Sequence, residues 1–275
     1  MTVSEEIIAP ENFAFLQRHV YDESGIVLDA GKRYLLQARL LPLVQENGLS
    51  CLNDLCALLR ATAATPLHSR VVEAMTTNET YFFREPAHYE ALRKLVVPEL
   101  LELRGGLRKL SFWSAAASTG QEAYSLAMML LDMGLGSWNI EILGTDLSPR
   151  VLKQARSGRY SQLEVNRGLP ATSLVRYFRR VGLDWEIRED LRRMVRFQTF
   201  DLRSSMKSLG PFDVVFCRNV LIYFDDVTRR SILDQIHGCM FRSGKLFLSS
   251  TESAIPASGS YLRETVGNTV IYGAR

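Results

Sequence analysis

The chain has 275 residues, enough for one large domain or for two unequal units. Hydrophobic residues make up 47% and charged residues 23%, a globular composition that excludes general disorder. No apolar run approaches the roughly 18 residues that cross a bilayer, and the acidic start MTVSEEIIAP lacks the layout of a secretion signal. We therefore expect a cytoplasmic protein without direct membrane insertion.

Composition also bears on whether the protein binds a metal ion or nucleic acid. The four cysteines form no CxxC pair and only four histidines accompany them, so we expect buried reduced thiols and no metal site. The net charge is only +3, but residues 150–196 hold twelve Lys and Arg against five Asp and Glu. This basic segment indicates either an acidic partner such as nucleic acid or a solvated arginine-rich surface, and composition leaves both open.

The first predicted elements are helices. From Glu11 to about Val72, apolar residues recur at spacings of three and four in three segments, ENFAFLQRHVYDESG, KRYLLQARLLPLVQENG and SCLNDLCALLRAT. Asp29 is expected to cap the second helix, and Ser50 with Asp54 to begin the third. Residues 1–72 are therefore predicted to form an all-α helical domain.

A linker over residues 73–93 is predicted next, because the polar stretch TTNET ends one helix and Pro86 begins another. Residues 94–275 then alternate extended and helical segments, which predicts an α/β domain with a parallel sheet. The extended segments are KLSFWSAAA, NIEILGTDLS, MVRFQTFDL, FDVVFCRNVLIYF and GKLFLSSTES, and the helices include QEAYSLAMMLLDMG and VTRRSILDQIHGCMF.

The last segment, YLRETVGNTVIYGAR, has two strand-like runs around Val-Gly-Asn and predicts an antiparallel hairpin at the sheet edge. A parallel sheet that ends in such a hairpin resembles the class I (Rossmann-like) methyltransferases. A minimal domain of that kind does not need residues 158–196, which we interpret as an insertion.

Two features in the α/β region predict a nucleotide site. The stretch FWSAAASTGQEAYS is a strand, a turn of small residues from Ala115 to Gly120, and a helix whose first amides face the turn. Asp146 ends the next strand, where doubly wound folds place an acid that accepts hydrogen bonds from ribose hydroxyls. Tight strand-to-helix packing would also explain the small residues, and capping of a helix near Pro149 would also explain Asp146.

The pyridine-nucleotide pattern GxGxxG and the triphosphate pattern GxxxxGK[ST] are both missing from the sequence. These absences argue against a dehydrogenase and a nucleoside triphosphatase. We therefore expect S-adenosylmethionine as the cofactor.

Four motifs carry a closer resemblance, namely MTTNETYFFRE at 75–85, WSAAASTGQEAYSLAM at 113–128, GTDLS at 144–148 and FDVVFCRNVLIYFD at 212–225. In this order they resemble the CheR-type protein-glutamate methyltransferases of bacterial chemotaxis, and the match includes the helical N-terminal part. The resemblance implies methyl transfer from S-adenosylmethionine to glutamate side chains of chemoreceptors, with S-adenosylhomocysteine as the product.

The resemblance also implies cofactor contacts, at Asn78, Thr80, Arg84, Ala115, Glu122, Asp146, Asp201, Leu202, Arg218 and Asn219. Asp146 is expected at the ribose, Asp201 near the adenine, and Glu122 with the linker residues at the charged methionine end. The alternatives are helix capping for Asn78 and Thr80, and a surface ion pair with Glu85 or Glu90 for Arg84.

The sequence departs from the family pattern at three positions. Gln121 replaces an acid, Ala123 replaces a proline, and Asp201 replaces an asparagine. Because Glu122 is kept beside the first change, we expect activity to be retained.

The expected substrate is a glutamate carboxylate, which is already ionised at neutral pH and needs alignment more than a general base. Tyr223 and Arg84 are the candidate catalytic residues. The Tyr223 phenol would position the substrate carboxylate by one hydrogen bond, although an aromatic core role is an equal alternative.

The substrate helix is expected to be acidic, so Lys32, Arg33 and Arg39 are candidate docking residues. The expected partner is the cytoplasmic helical domain of membrane chemoreceptors, and the protein is expected to be a monomer that binds no nucleic acid. A regulatory protein that covers the docking surface remains a possible further partner. The resemblance also implies a small antiparallel β subdomain in the insertion, which some members of the family use to grip a peptide at the receptor's C-terminus. Here RYFRRVGLDWEIREDLRRMVRF lacks a Gly-rich loop and resembles the peptide-independent kind.

Two other functions are the alternatives to receptor methylation, namely a nucleic-acid methyltransferase and an inactive cofactor-binding adaptor.

Overall fold

The computed structural model describes residues 8–253 and 259–275. The chain divides into two compact units, one that ends at Thr77 and includes Tyr223–Asp225, and one that comprises Asn78–Ile222 and Asp226–Arg275. The predicted boundary at residue 72 falls within a helix, because that helix continues to Met75 before the polar TTNET stretch. Within the described residues, no helix has the combination of length and apolarity that crossing a bilayer requires.

The first unit is helical. Its helices are α1 (Pro10–Ser24), α2 (Arg33–Glu46), α3 (Leu52–Ala61) and α4 (Pro66–Met75), with a 3-10 turn (Ala30–Lys32) before α2. Apolar side chains spaced at three and four meet in its core, where Leu16, Val20, Leu36, Leu40 and Leu55 have no exposed surface.

The predicted helix caps of this unit agree only in part with those in the structure. Asp54 accepts hydrogen bonds from the Ser50 and Cys51 amides at the start of α3, as expected, although Cys51 is the N-cap residue. Asp29 does not cap α2, because the 3-10 turn moves the start of that helix to Arg33. The Asp29 carboxylate instead pairs with the Lys32 ammonium at 3.1 Å.

The second unit is built on a seven-stranded sheet in the order β6-β2-β1-β7-β8-β10-β9. The strands are β1 (Lys109–Ser114), β2 (Asn139–Asp146), β6 (Val195–Thr199), β7 (Phe212–Phe216), β8 (Met240–Phe247), β9 (Tyr261–Val266) and β10 (Thr269–Ala274). The first five strands of this order run parallel to one another. The sixth, β10, pairs antiparallel with both of its neighbours, β8 and β9. The predicted parallel sheet with a C-terminal hairpin is thus confirmed. Two residues join β9 to β10, and Gly267 takes the positive φ of 55° that such a turn requires.

Helices cover the sheet, as the alternating pattern predicts. They are α5 (Pro86–Ala91), which continues through a π-helical turn (Leu92–Val96) into α6 (Val97–Arg104), then α7 (Gln121–Asp132), α8 (Pro149–Ser157) and α12 (Asp226–Gly238). The sequence prediction extended the last helix through Phe241. Met240 and Phe241 instead begin β8, where Met240 pairs with Phe212 of the buried neighbouring strand.

The insertion between α8 and β6 forms the expected small antiparallel sheet, in the order β3-β5-β4. Its elements are β3 (Arg159–Tyr160), α9 (Gln162–Val165), α10 (Ala171–Tyr177), β4 (Phe178–Val181), β5 (Asp184–Ile187) and α11 (Glu189–Arg192). A loop of only two residues, Gly182 and Leu183, joins β4 to β5. Tyr160, Phe178 and Ile187 belong to the main core of the unit.

Much of the basic charge of residues 150–196 is neutralised in place. Glu186 lies among Arg159, Arg179 and Arg192, at nitrogen–oxygen distances of 3.9, 2.8 and 3.4 Å. Further pairs join Arg167 to Glu79, Arg176 to Asp132 and Arg193 to Glu189. These contacts agree with the interpretation of the segment as an arginine-rich surface.

Candidate active site

The small-residue turn after β1 lies at the carboxyl edge of the sheet and is fixed by the neighbouring strands. The Ala115 amide donates to the Phe216 carbonyl and the Ala117 amide to the Thr145 carbonyl, both at 2.8 Å. Gly120 adopts a φ of 95° at the N-cap of α7, and a Cβ there would lie 2.9 Å from the Ala155 Cβ. The turn therefore requires its small residues for close packing as well as for any approach by a ligand.

Asp146 ends β2 beside this turn. Its Oδ2 accepts a hydrogen bond from the Ser118 amide at 2.8 Å and its Oδ1 accepts one from the Ser148 amide at 3.0 Å. Ser148, not Asp146, is the N-cap of α8, because its hydroxyl oxygen accepts from the Val151 amide. The capping alternative for Asp146 is therefore wrong, and its carboxylate lies between two loops at the sheet edge.

The segment after β6 brings Asp201 and Leu202 to the same edge, since the Phe200 amide donates to the Asp146 carbonyl at 2.9 Å. The Asp201 carboxylate is held by Arg203, whose Nη2 lies 2.7 Å from Oδ2. Leu202 is buried. Where the family has asparagine, this chain thus has a carboxylate with its own arginine partner.

Arg218 is the buried cation of the site. Its side chain is 1% exposed, and its Nη1 lies 2.9 Å from Glu122 Oε2. Its Nη2 donates to the Arg84 carbonyl at 2.6 Å and lies 3.4 Å from Glu85 Oε1. Burial alone would lower the pKa of Arg218, but the carboxylates of Glu122 and Glu85 outweigh it and raise that pKa. The guanidinium therefore stays charged and connects the linker motif to β7 and α7.

Glu122 is the second partner in this cluster. Its Oε1 accepts a hydrogen bond from the Ser114 hydroxyl at 2.6 Å, while Oε2 faces Arg218. Gln121, where the family has an acid, is 2% exposed and accepts a bond from the Thr119 hydroxyl at 2.7 Å. Ala123, where the family has proline, is fully buried. Both departures fit the helix start, and neither disturbs Glu122.

The linker motif reaches the turn through its main chain. The Asn78 carbonyl accepts a hydrogen bond from the Ser118 hydroxyl at 2.8 Å. Arg84 donates to the Glu79 carbonyl at 2.8 Å, whereas Glu85 faces Arg218 and Glu90 pairs with Lys94, so the ion-pair alternative for Arg84 is wrong. The capping alternative for Asn78 and Thr80 is also wrong, because Thr76 is the C-cap residue of α4 and Glu85 is the N-cap residue of α5.

Comparison with known proteins assigns both units. Residues 11–76 match the model described as CheR methyltransferase, all-alpha domain, and residues 78–266 match CheR methyltransferase, SAM binding domain. The chain belongs to the CheR methyltransferase family. Chemotaxis protein methyltransferase 1 of Pseudomonas aeruginosa is 40% identical, over 91% of this chain and 93% of that protein. Chemotaxis protein methyltransferase Cher2 of Pseudomonas putida is 38% identical, over 96% and 98%.

In this CheR methyltransferase, the predicted cofactor residues of the second unit lie at one edge of its sheet. Four parallel strands place them at or just after their carboxyl ends, namely Ala115, Glu122, Asp146, Asp201, Leu202, Arg218 and Asn219. Asn78 and Arg84 contact this edge through main-chain atoms. Thr80 lies between Asn78 and Arg84 in the linker.

The remaining predicted residues belong to the first unit. Tyr223 packs half-buried against the helical core, and its carbonyl accepts a hydrogen bond from the Val27 amide at 2.9 Å. Arg33 is exposed and its guanidinium lies 4.8 Å from the centre of the Phe13 ring. Arg39 donates to the Met75 and Thr76 carbonyls and to the Thr77 hydroxyl, at 2.6, 3.2 and 2.8 Å. Arg39 thus holds the end of α4 against α2, a role that spacing alone did not reveal.

Sequence reasoning missed two acids of this CheR methyltransferase. Glu85 has a φ of 58° before Pro86, and its carboxylate faces Arg218 and accepts a bond from the Ser250 amide at 3.0 Å. Glu252 is fully buried and accepts hydrogen bonds from the loop that contains Asn219. Glu85 stands inside the recognised linker motif, which was a usable signal. Glu252 follows a strand in a serine-rich stretch, where the sequence gives no comparable signal.

Proposed function

We propose that this protein methylates glutamate side chains on the cytoplasmic helical domain of methyl-accepting chemoreceptors. It uses S-adenosylmethionine and produces glutamate methyl esters and S-adenosylhomocysteine. The observation that carries the proposal is the coincidence of two results. The chain matches the CheR methyltransferase family over both units, and the residues implied by that family converge on one sheet edge.

The donor set at this edge fits S-adenosylmethionine. Asp146 accepts hydrogen bonds from two main-chain amides and lies at the carboxyl edge of the sheet, where doubly wound folds place an acid for the ribose hydroxyls. The Glu122 carboxylate, the Arg218 guanidinium and the linker residues Asn78, Thr80 and Arg84 supply both charge signs for the amino and carboxylate groups of the methionine end. Asp201, Leu202, Ala115 and Asn219 complete the proposed set.

The chemistry that S-adenosylmethionine supplies when bound is a methyl group on a positively charged sulfur, which an ionised carboxylate attacks in line. The protein needs no strong base for this reaction, because a glutamate is ionised at neutral pH. The task of its side chains is alignment and exclusion of water. We assign Tyr223 to orient the substrate carboxylate by one hydrogen bond, with Arg84 as the second candidate catalytic residue.

Helix α2 is the proposed docking element for the acidic receptor helix. Lys32, Arg33 and Arg39 lie at its start and middle, and Arg33 is the most exposed of the three. Arg39 has internal acceptors for its guanidinium, so its contribution to docking is combined with a structural one. Long-range attraction of this kind raises the association rate more than the final affinity.

The remaining features concern partners. The two-residue loop between β4 and β5 leaves no room for a Gly-rich grip, which supports methylation that does not depend on a receptor C-terminal peptide. We also propose a cytoplasmic monomer, with a regulatory protein able to cover the docking surface.

The test is transfer of labelled methyl groups from S-adenosylmethionine to a purified receptor cytoplasmic fragment. The label should enter the fragment and leave as methanol in alkali, as expected of an ester. Label that stays in alkali-stable form, or that enters RNA or DNA instead, would refute the proposal.

A further inference from the structure

The loops after β7 and β8 are joined by one buried carboxylate. Cys217 still pairs with the β8 end, since its amide donates to the Phe247 carbonyl at 2.9 Å. Beyond this point the two strands diverge, β7 into the segment Arg218–Ile222 and β8 into the segment Leu248–Ser253. Glu252, with no exposed surface, lies between them.

Six donors converge on the Glu252 carboxylate. Oε1 accepts from the amides of Val220, Leu221 and Ile222 at 2.9, 2.8 and 3.3 Å. Oε2 accepts from the Asn219 amide at 2.8 Å and from the amide and hydroxyl of Ser249 at 3.1 and 2.5 Å. Successive main-chain amides that point at one anion form a concave nest, and here the protein's own carboxylate fills it.

This arrangement fixes an otherwise unfavourable main-chain conformation. Asn219 has a φ of 58°, a region that residues other than glycine rarely adopt. The amides of residues 219–222 all donate to Glu252, so the direction of this main-chain turn is fixed by the one carboxylate. Arg218, by contrast, is held by Glu122, Glu85 and the Arg84 carbonyl and needs no support from Glu252.

We propose that Glu252 is a positioning residue for methyl transfer, which holds the main chain of residues 219–222 in the conformation that presents the substrate carboxylate. This inference rests on the proposed function. Because the Arg218 cluster is anchored independently and Asn219 is one member of a larger proposed cofactor set, loss of Glu252 should lower kcat more than cofactor affinity.

Glu252→Gln tests this with almost no change in volume. Whichever way the amide is oriented, its NH₂ group faces at least two main-chain amides that then lack an acceptor. We expect kcat for methylation of the receptor fragment to fall about 10- to 100-fold. The Kd for S-adenosylhomocysteine, measured by calorimetry, should rise no more than about threefold.

Asp213→Asn is the matched control, because Asp213 is a buried carboxylate near the start of β7, at the opposite end of that strand from residues 219–222. It accepts from the Ser111 amide and hydroxyl and from Arg104 Nε, at 2.8, 3.0 and 2.9 Å. The control should lower the melting temperature, as we also expect of Glu252→Gln, but leave kcat within about twofold. Ser249→Ala, which removes only the hydroxyl donor, should lower kcat by a smaller factor and covers the case in which Glu252→Gln does not fold.

The inference is overturned if Asp213→Asn lowers kcat as much as Glu252→Gln, if Glu252→Gln and Ser249→Ala leave kcat unchanged, or if cofactor affinity falls in parallel with kcat. Failure of the proposed function looks different. In that case the unaltered protein itself transfers no methyl group to the receptor fragment.

Discussion

Arg218 shows how a single residue can connect several parts of a site. Its guanidinium is buried and its charge is balanced by Glu122 and Glu85. In Glu122→Gln one of these carboxylates is lost and the cation is left with a weaker partner. Breaking a buried pair costs about 3 kcal/mol, and urea unfolding should show that loss. Glu90→Gln, which removes an exposed pair with Lys94, should leave the urea midpoint unchanged.

Asp146 is the residue on which cofactor binding should depend most. In Asp146→Asn an NH₂ group replaces one of the two carboxylate oxygens, so one main-chain amide loses its acceptor and the ribose hydroxyls lose a charged one. We expect the Kd for S-adenosylhomocysteine to rise about tenfold or more. Glu141→Gln, an exposed change at the opposite end of the same strand, should leave the Kd unchanged. Equal affinity in the two variants would remove Asp146 from the cofactor site.

His88 gives the protein a pH dependence. Burial lowers the pKa of His88 to about 4, with a further contribution from Arg218. Between its usual pKa and pH 4, the unfolded chain therefore takes up a proton that the folded protein does not. The stability contributed by neutral His88 is complete above about pH 6.5 and is lost as the pH falls.

The amount lost between pH 6.5 and pH 5 should be about 2 kcal/mol. Urea unfolding of His88→Gln over the same range measures it, because that variant lacks the titrating group. Its stability should fall less steeply than that of the unaltered protein. Parallel curves would mean that His88 takes up protons equally in both states.

At the scale of elements, substitutions can separate the proposed docking role of helix α2 from its structural role at the end of α4. Arg33→Glu should lower the rate of receptor methylation about tenfold at low receptor concentration and leave cofactor affinity unchanged. Arg18→Glu, the same charge change at an exposed position of α1, is the control. Arg39→Glu should in addition destabilise the protein by about 2 kcal/mol, because three acceptors lose their donor. Equal effects of Arg33→Glu and Arg18→Glu would indicate a general charge effect and no docking site.

The elements that the sequence predicted best are those whose signal is local. The turn from Ala115 to Gly120 and the acid at Asp146 could be predicted because each directly follows a buried strand. The start of β8 was misplaced, because Met240 and Phe241 also fit the apolar spacing of the preceding helix. The start of α2 was misplaced, because a 3-10 turn and an α-helix share their first hydrogen-bonding residues.

The parts of the site that could not be predicted depend on partners far along the chain. Glu85 pairs with Arg218, and Glu252 accepts hydrogen bonds from the amides of residues 219–222. Both contacts depend on residues with positive φ, which composition does not predict. A carboxylate that accepts main-chain amides has no sequence signature, because every residue except proline provides such an amide. The family resemblance therefore identified the cofactor edge but not the acid that holds the loop beside it.

At the scale of the whole molecule, the proposed function predicts a single kind of methyl acceptor. The protein should place methyl groups on glutamate carboxylates of a helical receptor and on no other acceptor. This is expected because a glutamate carboxylate arrives already ionised, whereas an amine or a hydroxyl acceptor would need a general base, a role that the proposed mechanism assigns to no residue.

Mass spectrometry of the receptor cytoplasmic fragment, after incubation with the protein and S-adenosylmethionine, tests this claim most directly. We expect methyl esters on glutamates of the receptor helix, which disappear after mild alkali and are strongly reduced with Asp146→Asn. Methyl groups on arginine, lysine or hydroxyl side chains would contradict it, as would an unmodified receptor in the presence of folded, cofactor-binding protein.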